Sequence, residues 1–456
     1  MEKPINKRSA LLITASAAFL TPFMGSAVNI ALPSIGREFA MDAILLNWVS
    51  TSYILAAAVF LVPFGRIADI HGRKKIFTYG IMLFNLASLF SAVSLSSWML
   101  ISARVIQGIG SAMIFGTGIA IITSIFSAGT RGKALGINVT SVYLGLSLGP
   151  VIGGFLTEHW GWRSIFLVIL PLGLSVWGVV FWKLEGEWAE ARGEPFDWVG
   201  SLFYCLTLVA ILYGFSRLPS PLGGGLIGIG VLGLGIFIKW EMKTKSPVLD
   251  IRLFRNNRIF AFSSLAALIH FSATFAVGFF LSLYLQYIKG FSPSHAGSIM
   301  LIQPATQALF STFAGRLSDK IEPRVVASMG MGCSTFGLSL LVFLKEKTPV
   351  EFIMISLILL GLGFAFFASP NLNAAMSSVE KKFYGVCSGT VSTMRLVGQA
   401  LSMGLTIMIF SLYIGRVQIT AESYPLFLQS AHVAFMISTI LCCGGIFASL
   451  ARGKVR

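Results

Sequence analysis

The chain has 456 residues, of which 55% are hydrophobic and 11% charged, and its formal net charge is +16. That charged share is about half of what a soluble domain carries, and no single soluble core could take in so much apolar surface. The positive excess raises nucleic-acid binding as a class, and the placement of the charges excludes it.

Apolar runs recur from end to end. The expected spans are 11–32, 45–65, 76–95, 98–122, 134–157, 164–182, 198–215, 222–240, 259–287, 294–314, 325–344, 351–372, 384–413 and 426–450. Each is near or above the roughly 20 residues a helix needs to cross a hydrocarbon core. The runs are continuous rather than alternating, which selects helices over a closed barrel. Of the 34 Lys and Arg, 25 fall on one set of loops together with both termini. The other set has only Arg37, Arg163, Arg217, Lys289, Lys345, Lys347 and Arg416, and Arg104 and Arg395 lie within spans. By the positive-inside rule both termini are cytoplasmic, so the basic balance records topology in a cell membrane. Lys3, Lys7 and Arg8 before the first run imitate a signal peptide, but the run is long and leads into further spans, so a retained first helix is expected.

After span 2 comes Gly65-Arg66-Ile67-Ala68-Asp69-Ile70-His71-Gly72-Arg73-Lys74-Lys75. Its core returns after span 10 as Gly315-Arg316-Leu317-Ser318-Asp319, with Arg324 a few residues on. An Asp at a helix end that pairs with basic residues in one conformation only can bias a two-state equilibrium, although such a cluster can also merely fix topology. Span 4 contains Arg104-Val105-Ile106-Gln107-Gly108-Ile109-Gly110. An intramembrane Arg is costly and should face the bundle interior, as a binding or proton-transfer group or as a structural hub. Span 5 carries Gly145, Gly149, Pro150, Gly153 and Gly154, small residues that let helices approach closely around a proline bend.

An acidic linker (Glu185, Glu187, Glu190, Glu194, Asp197) follows span 6. Spans 7 and 8 form a hairpin turning at Pro219-Ser220-Pro221, and a basic stretch over 239–258 closes it. The recurrence of the loop motif divides the chain into a six-helix half over 1–183, a linker with an inserted hairpin over 184–258, and a second six-helix half over 259–456. In the second half His270 and Arg395 are the ionisable groups inside spans. The five cysteines lie in apolar runs without metal-like or disulfide spacing.

Together these motifs resemble those of the major facilitator superfamily. The loop after span 2 matches its gating motif, span 4 its RxxQGxG motif and span 5 its antiporter motif. With Val28-Asn29-Ile30-Ala31-Leu32-Pro33, Trp160-Gly161-Trp162-Arg163, Phe196-Asp197-Trp198-Val199-Gly200 and Pro247-Val248-Leu249-Asp250, the chain looks like the fourteen-span EmrB/QacA-type drug:proton antiporters over nearly its whole length. The resemblance implies an all-α integral membrane protein of the major facilitator fold. It implies gating at Gly65, Arg66, Asp69, Gly72, Arg73, Gly315, Arg316 and Asp319, and substrate contact or proton coupling at Arg104, Gln107 and Arg395; the residues themselves add His270, which can titrate near neutral pH or bond between helices, and Glu158, which follows the Gly-Pro motif, as coupling candidates. It also implies alternating access with a small-molecule substrate and protons as coupling ion, in a lipid bilayer, as a monomer without nucleic acid, metal or cofactor.

One position departs from that family. Where its members commonly carry an Asp in span 1, this chain has Met24, and none of its 18 acidic residues lies in the middle of a span. Two intramembrane arginines without acids suit a polar neutral or anionic substrate. Export of amphipathic drug-like compounds is therefore expected, with carriage of an endogenous polar or anionic metabolite without tight proton coupling as the alternative. A sensor or scaffold that has lost transport is a further rival. An enzyme is not expected, since no constellation of His, Asp or Cys gathers at either interface.

Overall fold

The computed structural model describes residues 7–126, 128–249, 251–380 and 384–453, with 128–133, 253, 319, 384 and 385 described by backbone alone. Every regular element among them is helical: α1 (Lys7–Glu38), α2 (Ala43–His71), α3 (Arg73–Ala92), α4 (Ser97–Ile125), α5 (Ala128–Trp160), α6 (Arg163–Lys183), α7 (Trp198–Arg217) and α8 (Pro221–Glu241). There follow the short α9 (Arg252–Asn256), α10 (Arg258–Thr274), α11 (Ala276–Leu283), a π-helical turn over Tyr284–Ile288, α12 (Pro293–Met300), α13 (Ile302–Lys320), α14 (Pro323–Val342), α15 (Val350–Ser377), α16 (Tyr384–Tyr413) and α17 (Tyr424–Ala451). The protein is a multi-pass integral membrane protein.

Helix starts follow local chemistry. Asp42 accepts the Leu45 amide at 2.7 Å, Asp197 that of Gly200 at 2.9 Å and Asn257 that of Phe260 at 3.0 Å, each satisfying a donor the first turn leaves free. Ser220 and Ser292 do the same ahead of Pro221 and Pro293, whose missing N–H costs nothing at that position. Thirteen helical segments among the described residues are long and apolar enough to cross a bilayer. The expected span 294–314 falls short because it is divided at Leu301 into α12 and α13. Pro304 gives no backbone donor just past that joint, and Gln303, Thr306, Gln307 and Ser311 dilute the apolar run. The expected span 259–287 is also jointed, at Phe275, where the Ala276 amide donates to Ser402 Oγ of α16 at 3.0 Å.

α1 lies along α5, α2 and α3 along α4, and α6 against α3. Likewise α15 packs on α13 and α14, and α10 on α16 and α17. These two groups of helices meet where α12 rests on α5, α2 on α16 and α1 on α11. The α7–α8 hairpin stands beside that seam. Tyr204 of α7 donates to the Ala58 carbonyl of α2 at 3.0 Å, and the Leu218 carbonyl accepts from Ser411 of α16 at 2.6 Å. α8 turns Ile229, Leu232 and Ile236 outward, an apolar face of the kind lipid covers.

Candidate functional site

At the Gly72 end of the bundle the chain turns from α2 into α3 through Gly72, whose φ of +118° is open to glycine but strained for other residues. The turn brings Arg73 back onto Asp69, Nε to Oδ1 at 2.8 Å. Arg73 also donates to Glu190 Oε1 at 2.7 Å and to Ser124 Oγ of α4 at 2.5 Å, while Arg66 pairs with Glu194 at 2.5 Å. Glu187 accepts the amides of Lys74 at 2.8 Å and Lys75 at 3.1 Å, placing a carboxylate where the α3 dipole favours one. Main-chain bonds complete the strap, with the Trp188 carbonyl accepting from Arg73 and the Asp69 carbonyl from Ala191. The acidic linker is thus folded onto the loop between α2 and α3. The Arg66 guanidinium, with help from Ser246, holds the Glu194 carboxyl below its ordinary range. These partners escaped the sequence reading, although an acidic run facing a basic loop was a visible signal. In the second copy, a methyl at Gly315 would stand 3.2 Å from Ser369 Oγ and Arg316 is exposed, while the Asp319 side chain lies outside the described residues. Gly65 has open space beside it.

Arg104 is 1% exposed and forms a hub among α2, α3 and α4. Its Nε donates to the Val49 carbonyl at 3.1 Å, a second nitrogen to Gln107 Oε1, and its guanidinium lies 4.2 Å above the Tyr53 ring. Gln107 passes the chain on to Ser88 Oγ at 2.7 Å. Carbonyl, amide and ring quadrupole stabilise the charge without a carboxylate. The two glycines beside it explain the rest of the motif. A methyl at Gly108 would strike the Tyr53 carbonyl of α2, and one at Gly110 would stand 2.7 Å from the Phe84 amide of α3. Arg104 and Gln107 are thus sealed from solvent among α2, α3 and α4.

The glycines of α5 divide between two faces. Gly145, Gly149 and Gly153 recur every four residues and meet α1. A Cβ at Gly145 would lie 2.5 Å from the Phe19 carbonyl, one at Gly153 2.8 Å from Ala27 Cα, and one at Gly149 against Ser26 Oγ. Gly154 instead faces α12, where a Cβ would meet the Pro293 carbonyl, and the Pro150 carbonyl itself approaches Gly297. Around this crossing the Glu38 ends of the two helix groups are in contact. Ser282 donates to the Asn29 carbonyl at 2.6 Å, Gln286 to that of Ile30 at 2.8 Å, and Tyr287 to that of Pro33 at 3.4 Å. Glu158 stays exposed at this rim and accepts the Ser294 amide at the start of α12 at 3.1 Å.

In the middle of the bundle, Tyr143 of α5 faces Gln307 of α13 and lies in the field of Arg395 of α16. Arg395 is half-buried and its guanidinium sits 5.0 Å over the Phe271 ring. Here side chains of both helix groups meet around Arg395. His270 is not among them. It is 0% exposed, stacked on Phe367 at 4.1 Å and edge-on to Phe364 at 4.8 Å, with no hydrogen-bond partner on either ring nitrogen. Met24 is likewise fully buried, within the apolar core. The arrangement brings together a guanidinium, a phenol, an amide and an aromatic ring.

A family profile for the Major Facilitator Superfamily matches residues 14–403 and 263–454. The chain is 28% identical over 445 residues to the riboflavin transporter RibZ of Clostridioides difficile, covering 96% of each protein. It is 32% identical over 405 residues to the puromycin resistance protein pur8 of Streptomyces alboniger, covering 87% of this chain and 80% of that one. Among solved structures, a peptide transporter POT in complex with alafosfalin superposes with a TM-score of 0.71 at 13% identity, covering 98% and 96% of the two chains, a likeness of fold.

Proposed function

The chain belongs to the Major Facilitator Superfamily and is a transporter, and from that premise we propose that it exports small amphipathic aromatic compounds, neutral or anionic, by alternating access. The observation that carries this reading is the convergence of Arg395, Tyr143 and Gln307 between the two helix groups, beside Phe271. A guanidinium in a low-dielectric site repels organic cations and attracts anionic or strongly dipolar groups. The aromatic faces supply apolar area for a planar ligand. In this reading residues 1–183 and 259–456 rock against each other, the 184–258 insert spans their seam, and the Gly72 end is cytoplasmic. Asp69 and Arg73 gate that end, the α5 glycines seal the other, and Arg104 with Gln107 stiffens the first six helices. Protons drive export, as the resemblance to the fourteen-span drug:proton antiporters implies. Resistance to puromycin, which names one relative, fits an efflux role.

The test is accumulation of neutral, anionic and cationic aromatic compounds in cells stripped of their own exporters, with and without a protonophore. Accumulation of neutral or anionic compounds should fall, and both Arg395→Ala and the protonophore should abolish the effect. Export confined to cations, or unimpaired by Arg395→Ala, overturns the reading. The second reading is a dedicated carrier of an endogenous anionic metabolite, favoured by Met24 and by the riboflavin transporter among the relatives. Protonophore-insensitive flux of one such compound selects it.

A further inference from the structure

The base of the inserted hairpin brings together two acids that the transport reading does not use. Glu241, the last residue of α8, is 1% exposed. Its Oε2 accepts the Leu249 amide at 3.1 Å, whereas Oε1 is buried without a donor. Asp197, which caps α7, accepts the Gly200 amide at 2.9 Å and the Trp240 indole N–H at 3.1 Å to Oδ2. A methyl built on Gly200 would collide with Glu241 Oε1 and Asp197 Oδ2 together, so the two carboxyl oxygens are close neighbours across that glycine. Glycine at 200 is what lets them close up.

A hydrogen bond between two carboxyl groups requires a proton, since neither carboxylate can donate. Two carboxylates this close, one of them buried, cannot both ionise without strong repulsion. Glu241 is fully buried whereas Asp197 is only half-buried, and burial penalises the charged form, so the proton belongs on Glu241. No cation competes for the site. Among the described residues no Lys or Arg pairs with Glu241 or Asp197. Lys239 and Lys243 point to solvent, Arg252 donates to the Met242 and Thr244 carbonyls, and Arg66 pairs with Glu194.

We propose that Glu241 and Asp197 form a proton-binding site in which Glu241 carries the proton and donates it to Asp197, joining the two ends of the inserted hairpin. The proton links the strand of chain that leaves the gating strap with the strand that enters α9 and α10. Losing it places two facing anions at that joint and loosens it. The site stands whether or not export is proton-driven.

The test is infrared difference spectroscopy on the purified full-length protein at neutral pH, comparing it with Glu241→Gln and Asp197→Asn. Glu241→Gln keeps both a donor and an acceptor at 241, and Asn retains the cap at 197. The carbonyl stretch of a protonated carboxylic acid should be lost in Glu241→Gln. It should be lost in Asp197→Asn as well, because the Asn amide then offers a donor to an ionised Glu241. A parallel readout is the unfolding midpoint. It should fall as pH rises above the unfolded carboxyl value of about 4.3 and level off once Glu241 is ionised in the fold as well, and this fall should be missing from Glu241→Gln. An absent band in the unaltered protein, or an equal band in either variant, overturns the proposal. So does a band that magnesium or calcium abolishes in the unaltered protein, which would make the pair a cation site.

Discussion

Substituting Gly154 by Ala tests whether the α5–α12 crossing belongs to one conformation only. The added methyl would overlap the Pro293 carbonyl oxygen and stand 2.9 Å from its carbon and 3.0 Å from Ser294 Cα. All three are backbone atoms, so no side chain can swing aside and the helices must part. Overpacking of this kind costs about 1–3 kcal/mol. Because α5 and α12 lie on different helix groups, the cost falls on the state closed at the Glu38 end and spares the state open there. The equilibrium should shift toward the open state by about 5–150-fold. The assay is thiol modification of Ser282→Cys, buried at this closure, in a background freed of the five native cysteines. Labelling from the Glu38 side should speed up by that factor in Gly154→Ala. Gly145→Ala is the control, since its methyl meets α1 in both states; it should lower the melting temperature and leave labelling unchanged. Equal labelling in Gly154→Ala and the parent, or equal acceleration by both variants, would refute the argument.

Arg104→Met removes the hub's charge and strands the Gln107 amide and the Val49 carbonyl; it should destabilise the protein by about 3 kcal/mol, read as a lower melting temperature in detergent. Glu190→Gln together with Glu194→Gln should release Arg66 and leave Arg73 held only by Asp69 and α4, and so speed hydrogen exchange across 188–194 without changing exchange at α5. The Arg66–Glu194 contact lowers a carboxyl pKa, so its contribution is full above the unfolded value of about 4.3 and fades as pH falls through the depressed folded value. Protection of the strap amides, taken relative to intrinsic exchange at each pH, should therefore fall on acidification below that range and on adding salt, since Glu194 is half exposed. His270→Phe should leave transport and its pH profile intact, because the imidazole already packs as an aromatic ring without hydrogen bonds; a displaced pH profile would show that the ring titrates.

Composition and run length alone determined that this chain is a helical membrane protein, because lipid leaves the spanning backbone few other solutions. The family was legible too, in the loop after span 2, the Arg104 segment and the α5 glycines, each short and local. Helix starts at Asp42, Asp197 and Asn257 were equally local, a side chain meeting an amide three residues on. What only the tertiary structure decided is long-range. Periodicity cannot say that Glu187, Glu190 and Glu194 fold back more than a hundred residues to strap the gating turn. Nor can it show that Arg104 is sealed in a hub while Arg395 faces Tyr143 across the bundle, since both read as an isolated Arg in an apolar run. The same limit hid the pairing of Asp197 with Glu241, 44 positions apart in the sequence, because whether two acids share a proton depends on the distance between them and on which donors reach each oxygen.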